Sequence, residues 1–113
     1  MTLLEAMAKQ EGFGVAGARP TRNNNPGDLE YGPFAVANGA TGTDGRFAIF
    51  PDSDTGFAAM KALLVERYRG LTVSEALNKY APPVENETNV YLQHVCEWSG
   101  CQPDEDLETA LNA

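Results

Sequence analysis

The chain has 113 residues, 42% of them hydrophobic, which is enough for one domain with one modest core. With 8 Lys and Arg against 16 Asp and Glu, the formal net charge is −8. That argues against nucleic acid, because phosphate contacts need clustered cations. No apolar run approaches the ~18 residues of a membrane span, so no membrane insertion is expected.

The first helix is predicted to start at Thr2, where Thr2 and Glu5 fit a capping box. Leu3, Leu4, Met7 and Ala8 follow at helical spacing, and Gly12 and Gly14 supply the stop. Glu11 falls at the end of that helix and on its apolar side. The helix dipole and desolvation there both raise a carboxyl pKa, which suits a general acid.

Residues 17 to 51 read as irregular, dense in Gly and Pro, with a strong turn at Asn23-Asn24-Asn25-Pro26-Gly27. Short extended pieces are expected around Leu29–Tyr31 and Arg46–Phe50, the second behind a tight hairpin turn at Asp44-Gly45. The loop from Arg22 to Gly32 concentrates amides, carboxylates and the Tyr31 ring. Amides can read hydroxyl and acetamido groups, and aromatic rings stack on sugar faces.

From Asp52 onward the pattern is helical. Asp52, Ser53 and Asp54 offer N-caps, and Phe57, Met60, Leu63, Leu64 and Tyr68 form an apolar stripe that stops at Gly70. Thr72 and Glu75 make a second capping box for a short helix with Val73, Ala76, Leu77 and Tyr80 inward, ended by Pro82-Pro83. Asn86 or Thr88 opens a helix carrying Tyr91, Leu92, Val95 and Trp98, with Gly100 as its stop. A last helix is expected from Pro103 to Leu111. The predicted core includes Leu4, Met7, Phe57, Met60, Leu64, Leu77, Tyr91 and Val95. The layout is α+β, mainly α, one domain over residues 1–113, with a small β-hairpin region after the first helix.

Two cysteines are too few for a disulfide scaffold, and Cys96 and Cys101 with His94 make a poor zinc site. They read as two small, partly buried side chains, with a local disulfide as the alternative in an oxidising compartment. Asp52-Ser53-Asp54-Thr55-Gly56 begins like a calcium loop but lacks its ligand pattern, and is better read as a helix cap. Asn86-Glu87-Thr88 matches a glycosylation acceptor and also reads as a cap. No metal and no other cofactor is expected.

A helix ending Glu11-Gly12, the loop Asn24-Asn25-Pro26-Gly27-Asp28-Leu29, the run Arg46 to Phe50, and a helix opening Gly56-Phe57-Ala58-Ala59-Met60 together resemble the lysozyme-like superfamily. Within it the pattern is similar to soluble lytic transglycosylases and bacterial glucosaminidases, over roughly residues 3 to 98. The resemblance implies a peptidoglycan glycan-strand lyase or hydrolase with Glu11 as catalytic acid. It also implies a cleft lined by Asn24, Asn25, Glu30, Tyr31, Asp44, Phe47 and Tyr80. Pro20 and Pro26 stand where phage lysozymes of the acid–Asp–Thr type carry Asp and Thr. The expected scheme is therefore substrate-assisted with one acid, and Asp28, Glu30 and Asp44 are the alternatives for a second carboxylate.

The partner implied is the peptidoglycan glycan strand, met by a monomer. The segment Met1-Thr2-Leu3-Leu4-Glu5 does not read as a secretory signal. Delivery to the wall would then depend on phage lysis, a virion, a secretion machine or a larger parent protein. Two competing readings are a non-catalytic cell-wall-binding or virion structural domain, and a small acidic interaction module.

Overall fold

A computed structural model describes residues 1–81 and 87–113. The expected helix stop at Pro82-Pro83 and Asn86, both as a cap and as the first residue of the Asn86-Glu87-Thr88 motif, lie outside the described residues. The described chain is mainly helical with one small antiparallel hairpin. Its elements are α1 (Leu3–Gln10), α2 (Arg19–Arg22), α3 (Pro33–Ala37), β1 (Gly42–Thr43), β2 (Ala48–Ile49), α4 (Ser53–Arg67), α5 (Val73–Tyr80), α6 (Thr88–Ser99) and α7 (Leu107–Leu111). They divide into two compact units, one of Met1–Gln10 with Leu64–Ala113, the other of Glu11–Leu63. No helix among the described residues is long and apolar enough to cross a membrane.

In the first unit, α1 opens on the expected capping box. The Glu5 N–H donates to Thr2 Oγ1 at 3.1 Å and the Thr2 N–H to Glu5 Oε1 at 2.9 Å. Thr72 and Glu75 repeat the device at the start of α5. Gly100 ends α6 in the left-handed region with φ +78°, where a Cβ would be strained. Helix α1 packs on α6, and α7 meets both α1 and α5. Met7, Leu64, Leu77, Tyr91 and Val95 are buried as expected. Leu4 is only half-buried and Leu3 is buried in its place, because the buried arc of α1 runs through Leu3, Ala6 and Met7. Helix α7 starts at Leu107 rather than Pro103. The segment before it lies along the entry to α5, where the Val73 and Ser74 N–H groups donate to the carbonyls of Glu105 and Pro103, both at 2.9 Å. Asp106 then caps α7 by accepting from the Thr109 N–H at 3.0 Å.

In the second unit, the stretch read as irregular contains α2 and α3. Each has proline in its first turn, where the missing N–H costs nothing and the fixed φ is already helical. The hairpin pairs Gly42 with Ile49 and Thr43 with Ala48 around the predicted Asp44-Gly45 turn. The piece at Leu29–Tyr31 joins it through one bridge, Glu30 to Phe47. Asp52 caps α4 by accepting from the Thr55 N–H at 2.8 Å, in keeping with the cap reading of that segment. Met60 is buried, whereas Phe57 is half-buried and meets Phe13 edge-on at 5.3 Å between ring centroids.

Candidate functional site

The second unit carries Glu11, the Asn-rich loop and the hairpin. Glu11 lies just past α1, as the first residue of the turn 11–14, and is half-buried. Gly12 follows with φ +96° and lets the chain leave the helix direction at once.

The loop amides turn out to be structural. Asn25 has no exposed surface. Its amide nitrogen donates to the Leu29 and Ala48 carbonyls, each at 2.9 Å, and its oxygen accepts from the Leu29 N–H at 2.9 Å. Both amide hydrogens are committed inside the protein, and the side chain expected to line the cleft stitches the loop to β2. Asn24 has φ +49° and donates to the Phe50 carbonyl at 3.1 Å. Its own carbonyl lies against α4, where a Cβ added at Gly56 would come within 2.0 Å. Asn23, nearly buried, donates to Asp44 Oδ2 at 3.0 Å, and its carbonyl accepts from the Phe50 N–H at 2.9 Å. Successive polar residues thus hold one turn against one strand, because buried amides must be paired.

Phe47 is expected to line the cleft. It is 8% exposed, and two guanidinium groups lie over the ring, Arg19 at 3.8 Å and Arg46 at 4.8 Å from its centroid. A sugar cannot stack there without displacing an arginine, so Phe47 is a support for cations rather than a platform. Arg19 also grips Asp28 with two hydrogen bonds, one of them from Nε at 2.9 Å. Arg46 pairs with Glu30 at 3.0 Å, and both of those side chains are exposed.

Asp44 is exposed at the hairpin tip. It accepts from the Phe47 N–H at 2.8 Å, the Arg46 N–H at 3.1 Å and the Asn23 amide. The Asn23 hydrogen bond first, and then the two backbone donors, hold its carboxyl down to about 2, so it stays ionised at neutral pH. Arg19 is held above the ordinary arginine value by its Asp28 hydrogen bonds first, and then by the charges of Asp28, Asp44 and Glu11. These four charged groups therefore share one neighbourhood.

Of the residues predicted for a site, the second unit brings together Glu11, Asn24, Asn25, Glu30, Tyr31, Asp44 and Phe47. Tyr31 is 47% exposed and keeps its ring open to solvent. Tyr80 closes α5 in the other unit, where it is half-buried. Arg19, Asn23 and Arg46 were not foreseen as site residues. Their signal is weak in sequence: Arg19 and Asp28 face each other only after a helical turn and a left-handed Asp28, φ +53°, and neither feature is periodic. Among the described residues, no group of three or more His, Cys, Asp or Glu is arranged to hold a metal ion.

No protein-family model and no characterised protein sequence matches the chain.

Proposed function

We propose that the chain cleaves peptidoglycan glycan strands, with Glu11 as the catalytic acid. The observation that supports this best is that a half-buried Glu11 and an exposed, ionised Asp44 both lie within electrostatic reach of one guanidinium, Arg19. Two carboxylates in unlike surroundings suit one proton donor and one fixed negative charge. Asp28 and Glu30 serve that second role less well, since each is tied to an arginine.

In this reading Glu11 protonates the glycosidic oxygen. The neighbouring acetamido group and the Asp44 charge stabilise the sugar cation. Glu11, now a base, takes a proton from the sugar 6-hydroxyl in a lytic transglycosylase, or from water in a muramidase. Tyr31 supplies the open ring for a sugar face, and Asn24 and Glu30 border the loop. Tyr80 comes to this site only through the lysozyme-like resemblance. An enzyme of this kind acts in the bacterial periplasm or wall, reached by phage lysis, a virion, a secretion system or as part of a larger protein.

The test is turbidity clearance of purified peptidoglycan by the wild type and by Glu11→Gln, with thermal melts of both. Gln keeps the volume but cannot donate and recover a proton, so clearance should fall ~10²–10⁴-fold while melting stays close to wild type. A well-folded Gln variant that clears normally would remove Glu11 from the chemistry. Mass spectrometry of the products separates the two outcomes: 1,6-anhydro ends mean transglycosylase, reducing ends mean muramidase.

A second reading has its own observation. Buried Asn25 and the arginine-covered Phe47 ring leave fewer open sugar contacts than the residue types of the loop suggest. A non-catalytic wall-binding or virion structural domain fits that. It predicts sedimentation with peptidoglycan, no clearance, and no effect of Glu11→Gln.

A further inference from the structure

Cys96 lies half-buried near the end of α6, and Cys101 is buried just beyond it; both thiols are free. Between them, Gly100 turns the chain with φ +78°, and its N–H donates to the Cys96 carbonyl at 2.8 Å. A left-handed reversal of this kind carries the next residue back over the last helical turn. Side-chain contact between that residue and one near the capped carbonyl is its usual companion. Here the two positions are Cys101 and Cys96. Ser99 fastens the turn a second time, its Oγ donating to the Val95 carbonyl at 2.6 Å and accepting from the Cys101 N–H at 3.2 Å. Burial chiefly, and then the charges of Cys101 and Glu105, push the Cys96 thiol up, which places these groups within electrostatic reach of one another. A raised Cys96 thiol is slow to react at neutral pH.

We propose that Cys96 and Cys101 form a reversible intramolecular disulfide when the protein meets an oxidising thiol–disulfide pool. The chemistry balances with glutathione disulfide as oxidant. The Cys96 thiolate attacks one of its sulfurs, giving a mixed disulfide and one glutathione thiolate. The Cys101 thiolate then attacks the Cys96 sulfur and expels the second glutathione. Two protein thiols are oxidised, one disulfide is reduced to two glutathione molecules, and the two protons pass to the departing thiolates.

The bond would staple the end of α6 to the segment 102–106. That segment is already hydrogen-bonded to the entry of α5 through Glu105 to Val73 and Pro103 to Ser74, both at 2.9 Å. One covalent link would therefore join the C-terminal end of α6 to the start of α5. It would form outside a reducing cytoplasm and open inside one. This inference does not depend on the proposed function.

The experiment incubates the whole protein, under native conditions, with glutathione disulfide at about pH 8.5, where a free cysteine is half thiolate. The reaction is quenched with acid, alkylated with iodoacetamide and read by intact mass and peptide mapping. The expected product is a monomer with neither cysteine alkylated, a single Cys96–Cys101 peptide link, and recovery of both alkylation sites after dithiothreitol. Cys101→Ser should stop at the glutathione adduct on Cys96. Full alkylation of both cysteines after prolonged incubation, a persistent glutathione adduct on the wild type, or a linked dimer would each overturn the proposal.

Discussion

At the residue scale, Asn25 and Asp44 show how the same side-chain chemistry serves opposite ends. Asn25 has all its bonds inside the protein. Asn25→Ala would take from the Leu29 N–H and the Ala48 carbonyl their Asn25 partner in a dry interior, while the Leu29 carbonyl keeps its bond from the Ala48 N–H, at a cost of about 3 kcal/mol. Asn25→Asp should be worse at neutral pH, since it faces two carbonyl oxygens with acceptors in place of donors. Urea unfolding checks both. A variant of wild-type stability but lower wall affinity would return Asn25 to ligand binding.

Asp44 makes a pH prediction. Its folded pKa of about 2 lies below the ordinary aspartate value of 3.8. Protonation is therefore resisted by the native state, and the stabilising contribution is fully present above the unfolded value. It is lost as pH falls through about 4 toward about 2. Melting temperature against pH should show a decline over that range in the wild type that Asp44→Asn lacks. Parallel curves would mean that the Asn23 and backbone hydrogen bonds do not favour the ionised form.

At the element scale, the start of α4 is set by a close approach. Gly56 is where the helix meets the Asn24 carbonyl, and an added Cβ would lie 2.0 Å from that oxygen and 2.8 Å from the Pro26 ring. Backbone cannot yield as a flexible side chain does. Gly56→Ala, ordinarily helix-favouring by about 1 kcal/mol, should instead destabilise by roughly 3 kcal/mol or more. A melt in which Gly56→Ala is neutral or stabilising would show that the loop gives way. The sequence marks this glycine only as part of a helix opening, because nothing local says what lies across from it. The capping boxes at Thr2 and Thr72 are the opposite case: donor and acceptor are three positions apart, so the whole device is written in one short stretch.

For the whole molecule, the net charge of −8 sets the long-range field. If the substrate is anionic peptidoglycan, that field opposes encounter, and salt should relieve it. Clearance should quicken as ionic strength rises from about 10 mM to about 150 mM, where the Debye length shortens to about 8 Å. A steep fall over the same range would point to attraction through the local Arg19 and Arg46 groups instead.

What was legible without a structure is what depends on neighbours in sequence. The long helices, their caps, the stops at Gly12 and Gly100, the Asp44-Gly45 turn and most of the core came from periodicity and local hydrogen-bonding chemistry. The short helices α2 and α3 escaped because a few residues are too short a window for periodicity, and proline reads equally well as a loop. The candidate site was legible in its residue types but not in their roles. An asparagine in a turn looks the same whether it faces solvent or a buried carbonyl, and a phenylalanine gives no sign that arginines will cover it. Tertiary contact settled that Asn25 is internal, that Phe47 supports Arg19 and Arg46, and that Asp44 is held ionised. Those outcomes depend on which groups from distant positions pair in the folded unit, and pairing across a fold carries no local signature in the chain.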